Sequence, residues 1–171
     1  MIRRLLLLMV MVLQGCGTTH YVPREYEISP ERISSFTVKG HIEVTNLQTD
    51  SRQVVFYDGP GQEWVGDYKA VSDHLRDQMQ KEIAKHTLLN PGPIKKSIGV
   101  QVVRLEGYNP IGAFHLSSAM DVSVVLGNGK TLVKHLKSAT GGNMNRMLNG
   151  ILALGTIDIL NDLEVRQYLA E

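Results

Sequence analysis

Between Phe36 and Thr45 apolar and polar side chains alternate, with Phe36, Val38, Ile42 and Val44 on one parity and Lys39, His41, Glu43 and Thr45 on the other. A period of two places each set on one face of the backbone, so the segment reads as a half-buried strand. Gln48-Thr49-Asp50-Ser51 supplies turn residues and Val54-Val55-Phe56-Tyr57 a second strand, which together predict an antiparallel hairpin. Asp58-Gly59-Pro60-Gly61 then breaks the chain before Trp64, the only tryptophan. A tryptophan beside glycines invites ligand stacking; the reading preferred here is a core cap where strand hands over to helix.

From Asp67, a candidate N-cap, the period changes to that of a helix running to about Leu88. Tyr68, Val71, Leu75, Met79 and Ile83 form its buried stripe, His86 lies on the same stripe, and Asp77 and Lys81 pair on the opposite face. Asn90-Pro91-Gly92-Pro93 is a strong stop. Ile98, Val100 and Val102 alternate again, but Val103 and Leu105 take the other parity, which implies a bulge or burial on both faces. Met120, Val122, Val124 and Leu126 make a cleaner strand. The loop between these strands, Gly107 to Ser117, carries Tyr108, Ile111 and Phe114, and is the candidate partner-contact loop, with folding back onto the core as the alternative.

Gly127-Asn128-Gly129 closes a tight hairpin into Thr131 to Ser138. A two-residue turn sets Val124 opposite Val133; a three-residue loop sets Val124 opposite Leu132 and Met120 opposite Leu136. Lys130, Lys134 and Lys137 suit an edge strand that must refuse foreign pairing. After Gly141-Gly142, Asn143 can cap a last long helix from Met144 to Leu160 that is apolar almost all round. Such a helix is either buried between the sheet and something else or binds a partner with its outer side. Ala153 and Gly155 would permit close approach, and Asn161-Asp162 can kink or cap the chain before a short terminal helix. The fold class expected is α+β: an antiparallel sheet with a helix after the first hairpin and a long C-terminal helix packed on it.

The N-terminus follows different rules. Met1-Ile2-Arg3-Arg4 is basic and Leu5 to Leu13 is an unbroken run of Leu, Met and Val, too short to span a bilayer and suited to the apolar region of a secretory signal. Leu13, Gln14 and Gly15 precede Cys16, the only cysteine, and this order resembles a bacterial lipobox. The resemblance implies that Cys16 carries diacylglycerol and an N-acyl chain as residue one of the mature protein, and that Gly17 directs it to the periplasmic face of the outer membrane. Acyl chains of that number anchor a protein permanently. Residues 1–15 are thus read as signal peptide, 16–31 as a lipidated tether lacking periodicity, and 32–171 as a single periplasmic α+β domain.

Loss of the signal leaves 156 of 171 residues, with 16 basic side chains against 17 acidic ones. That balance argues against nucleic acid, which requires a basic stripe. Neither G-x-S-x-G, H-E-x-x-H nor C-x-x-C occurs, and the six histidines are scattered, so no catalytic role, metal or cofactor beyond the covalent lipid is expected. Asp158 and Asp162 share a helix face, which a solvated face or helix terminus explains.

The order of elements, with "LRDQMQKEIAKH", "IGVQVVRLEG", "MDVSVVLGNGKTLVKHLKS" and the ending "DLEVRQYL", is similar to the YajG-like family of small envelope lipoproteins across residues 67 to 169. The resemblance implies an envelope lipoprotein. Three functions are weighed: an assembly module that docks an envelope protein through the Gly107–Ser117 loop or the last helix; a carrier of an apolar lipid or peptidoglycan-linked ligand in a cavity lined by residues such as Ile151 and Leu154; and an enzyme, ranked last. The membrane, through the anchor, and an envelope protein are the partners expected.

Overall fold

A computed structural model describes residues 17–109 and 115–171, with the backbone alone for 88–92. The strands are β1 (Gly17–His20), β2 (Phe36–Asn46), β3 (Gln53–Gly59), β4 (Gln62–Asp67), β5 (Thr87–Tyr108), β6 (Leu116–Leu126) and β7 (Thr131–Thr140); the helices are α1 (Tyr68–His86), α2 (Met144–Asn161) and α3 (Leu163–Ala170). Two sheets form, in the orders β1-β4-β3 and β2-β5-β6-β7. The α+β class and the long C-terminal helix packed on the sheet are as the sequence predicts.

Strand pairing in the first third differs from expectation. The alternating segment β2 pairs in parallel with β5, Val44 opposite Ile98, and β3 pairs with β4 instead, Val55 opposite Val65. The larger sheet is therefore mixed rather than purely antiparallel. Parallel neighbours need a long crossover, which β3, β4 and α1 provide. Alternation identifies β2 as a strand but says nothing about which strand lies beside it. Asp58 to Gly61 is the turn of the β3–β4 hairpin, with Gly61 at φ +75, and Trp64 sits inside β4 opposite Tyr57 and Thr19. It belongs to the core. A register shift at Phe56 turns both Phe56 and Tyr57 inward, and Phe56 occupies the space that Gly66 leaves open.

Asp67 caps α1 by accepting from the Ala70 N–H at 2.7 Å, and Val71, Leu75, Met79 and Ile83 are buried. The helix ends at His86, ahead of the Asn90-Pro91-Gly92-Pro93 stop, which instead lies in the irregular stretch of β5 where the β2 register shifts between Lys39 and His41. Gly40, at φ +94, makes that possible: a Cβ there would lie 2.2 Å from the Ile94 carbonyl oxygen.

The parity change at Val103 is a bulge. The β5–β6 register shifts between Val102 and Arg104, so Val103 faces outward while Leu105 is buried. Here β5 has run past the end of β2, and the backbone of Val102 bonds to side chains instead: its N–H donates to Ser72 Oγ at 2.9 Å and its carbonyl accepts from Gln48 Nε2 at 3.0 Å. Both side chains are buried for that reason. The β6–β7 hairpin uses the three-residue loop, with Gly129 at φ +87, Val124 opposite Leu132 and Met120 opposite Leu136.

One face of the larger sheet packs on α1 and α2. Gly155 lets α2 approach closely, since a Cβ there would lie 2.7 Å from Met120 Cε and 3.4 Å from Leu136 Cδ1. The chain closes with α3, whose end is held by Lys96: its Nζ donates to the Tyr168 carbonyl at 2.6 Å and the Leu169 carbonyl at 2.9 Å. No helix among the described residues is long and apolar enough to cross a membrane.

Candidate interaction surface

The apolar outer side of α2 is covered by the chain's own N-terminal segment. Gly17–His20 pairs in parallel with β4, and the following stretch crosses the helices with Tyr21, Ile28 and Ile33 buried in the core. The segment expected to be a tether therefore packs as a strap. Its low periodicity is that of a chain laid across helices, where burial follows local shape rather than a repeat. Tyr21 Oη donates to Asn149 Oδ1 at 2.8 Å, and the Arg24 N–H donates to the same oxygen at 3.0 Å. Gln78 Nε2 donates to the Tyr26 carbonyl at 2.9 Å, and Asn161 Nδ2 to the Arg32 carbonyl at 2.8 Å. Burial raises the Tyr21 phenol well above its usual range and lowers the His74 imidazole, against which the Arg24 backbone and Asp77 pull back.

Beside the strap lies a groove of about 330 Å³ between Tyr26–Arg32, one side of α2 from Arg146 to Ile157, and the end of β7. Its apolar side is Met147, Ala153, Leu154 and Ile157, and Arg32, Arg146 and Glu27 supply charge. Among the described residues, Arg32 and Arg146 form no ion pair. Ser138, Ala139 and Thr140 of β7 form one wall, and β7 is the edge of its sheet. Because Leu126 N–H donates to the Lys130 carbonyl, the antiparallel alternation directs the main-chain groups of Leu132, Lys134, Leu136, Ser138 and Thr140 toward β6 and those of Val133, His135, Lys137 and Ala139 away from it. Among the described residues nothing bonds those outward groups, so an extended segment laid along that edge can pair with them.

The edge lysines divide. Lys137 is exposed, whereas Lys134 turns under β7 and places Nζ 2.6 Å from Asp162 Oδ2 and 3.1 Å from Asp158 Oδ2. The two carboxylates read as solvated are thus the two clamps on one lysine. Burial disfavours the Lys134 charge, but the paired carboxylates outweigh it and hold its pKa above the ordinary value; the same lysine and the Val165 and Glu164 N–H groups hold Asp162 below its own against burial. On the uncovered sheet face His135 Nδ1 lies 2.8 Å from Asp121 Oδ1, Arg104 3.5 Å from Asp121 Oδ2, and Arg104 also bonds Glu106. His135 is 73% exposed, so this is a water-facing ladder of cross-strand charges. His86 Nε2 sits 3.4 Å from Oε2 of the buried Glu82. No group of three His, Cys, Asp or Glu among the described residues is placed to hold a metal.

Leu13, Gln14, Gly15 and Cys16 lie outside the described residues, as do Ile111 and Phe114; Tyr108 ends β5, partly exposed. Ile151 is fully buried, whereas Leu154 lines the groove. Sequence reasoning missed the strap, and of the groove it named Leu154 but not the walls from Tyr26–Arg32 and β7; the legible signal was the excess of apolar residues around α2, which required a cover.

No family model matches the chain, and no curated protein matches it. Its fold is similar to the crystal structure of protein XCC0632 from Xanthomonas campestris, described as DUF330, with a TM-score of 0.51 and 10% identity over 89% of this chain and 96% of that one. A second crystal structure, of an uncharacterized protein, aligns with a TM-score of 0.36 and 11% identity over 88% of this chain and 99% of that one. At these identities the likeness to XCC0632 is one of fold.

Proposed function

We propose that the protein is a lipid-anchored module of the bacterial cell envelope, held through Cys16 on the periplasmic face of the outer membrane, that docks an envelope protein as part of an assembly. The single observation that carries the docking reading is the coincidence of an open strand edge, at Ser138 to Thr140, with a groove that has an apolar wall and two arginines that form no ion pair among the described residues. An extended partner segment fits it: main-chain bonds to the β7 edge supply affinity, alternate apolar side chains reach Leu154 and Ile157, and an acidic side chain meets Arg32 or Arg146. The lipobox order Leu13-Gln14-Gly15-Cys16 and the resemblance to YajG-like lipoproteins support the compartment. No residue is assigned a catalytic role.

The second reading, a carrier of an apolar envelope ligand, is favoured by Leu154 in the groove but not by Ile151, which is enclosed by packed neighbours. Purification from crosslinked envelopes separates the two. Wild type is expected to retain one stoichiometric protein, weakened in Cys16→Ser at matched expression and lost in Ala139→Pro, a change that removes an outward N–H and leaves the β6–β7 ladder in place. Co-purifying lipid or glycan with no protein would overturn the docking reading in favour of the carrier. Retention by Ala139→Pro equal to wild type would remove the β7 edge from it.

A further inference from the structure

We infer that the domain rests on the bilayer with one defined end down: the β3–β4 turn, Gly59 to Gln62, together with the Tyr108 end of β5. This rests on the proposed lipidation of Cys16. The residue that follows, Gly17, is already the first residue of β1; it is opposite Gln62, and its N–H donates to the Gly61 carbonyl at 3.4 Å. One residue of extended chain spans about 3.5 Å, so no tether separates the acylated cysteine from the folded sheet. An anchor fixed at that point brings the turn beside it to the headgroups.

The direction of the chain fixes the rest. From Gly17, β1 runs parallel to β4 into the domain, and Tyr21 is buried. The Tyr108 end belongs to the same side, because a Cβ at Gly107 would lie 3.6 Å from the Cβ of Tyr57, which is two residues from Gly59. Tyr108 is 40% exposed, and a tyrosine at headgroup level satisfies both its ring and its hydroxyl. The β6–β7 hairpin is the far end: Ile98 faces Leu126 whereas Tyr108 faces Ser117, a separation along β5 of about 33 Å at ~3.3 Å per residue. Between Gln53 and Gly66 the only charged residues are Asp58 and Glu63, so the turn itself has nothing to attract anionic lipid, and the anchor imposes the orientation. Thr140, opposite Leu116, lies toward the membrane side too, so a segment docked at the end of β7 would itself be close to the bilayer.

The test uses the full lipidated chain, in which acylation blocks the Cys16 thiol, carrying Gln62→Cys or Asn128→Cys labelled with bimane. Each is reconstituted in phosphatidylethanolamine–phosphatidylglycerol vesicles that contain a headgroup nitroxide lipid, after mass analysis of the N-terminus and vesicle flotation. The expected result is several-fold stronger quenching at Gln62 than at Asn128, unchanged in high salt. Equal quenching, stronger quenching at Asn128, or none at either with flotation intact would overturn the orientation while leaving the anchored-module reading standing. An unmodified Cys16 in protein that does not float would overturn both.

Discussion

Tyr21 and Asn149, 128 positions apart, meet in a 2.8 Å hydrogen bond that fastens the N-terminal strap to the long helix α2. The same amide oxygen accepts the Arg24 N–H, so one side chain holds two points of the strap. Tyr21→Phe removes one bond and is expected to cost about 1 kcal/mol; Asn149→Ala removes both and is expected to cost about 2–3 kcal/mol. Urea unfolding followed by Trp64 fluorescence gives the stabilities. Trypsin adds an independent readout, since cleavage at Arg24 is expected to be faster in Asn149→Ala. Unchanged cleavage and stability would mean that burial of Ile28 and Ile33 alone secures the strap.

Lys134→Met leaves Asp158 and Asp162 facing each other on one helix side without their counterion. Lys134 and Asp162 are 17% and 19% exposed, so screening is incomplete and a loss of about 1–3 kcal/mol is expected. The pH dependence has a definite sign. Asp162 is depressed in the fold, so its contribution is present above the unfolded value near 3.9 and disappears as pH falls through the folded one. Lys134 is raised, so its contribution is present below the unfolded lysine value and disappears as pH rises through the folded one. The stability difference between wild type and variant should therefore be flat around neutrality and shrink in acid below the carboxylate range; a difference that persists there would point to lost packing.

Lys96 holds the last carbonyls of α3, with its ammonium also 5.3 Å from the centre of the Tyr168 ring. Lys96→Ala is expected to cost about 1.5–3 kcal/mol and to speed amide exchange in α3 more than in α1. Uniform acceleration across both helices would show that the terminal helix does not open separately.

Gly155→Leu tests the α2–sheet contact. Even a Cβ crowds the end of Met120, which can shift, but a full leucine must displace Leu136 and Leu75 as well. A loss of about 1–3 kcal/mol is expected. Gly155→Ala is expected to be much milder, because helix propensity gains about 1 kcal/mol against a displaced methyl.

Legibility divided by the range of the interaction. The α1 stripe Val71-Leu75-Met79-Ile83, its Asp67 cap, the Asn143 cap of α2 and the edge character of the last hairpin were all readable, because periodicity and capping depend on residues a few positions apart. The hairpin register was narrowed to two arrangements, and only packing chose the one that buries Leu136 while giving Lys134 two carboxylates from α2 and its cap. Pairing of β2 with β5 rather than β3 was invisible, since alternation labels a face without naming a neighbour. Of the groove only Leu154 was legible; its other walls come from Tyr26–Arg32 and β7, segments more than a hundred positions apart at their extremes.

What the chain determined by itself was local: strands of period two, helices of period 3.6, caps and turns. Tertiary structure alone decided that the stretch after Cys16 is a strap and not a tether. Tyr21, Ile28 and Ile33 have no periodic signature, yet α2 exposes apolar surface beyond what the sheet can cover, and removing that surface from water is favourable enough to order the nearest chain able to reach it. Burial of that kind follows from the shape of two surfaces brought together, and no window along the sequence contains both.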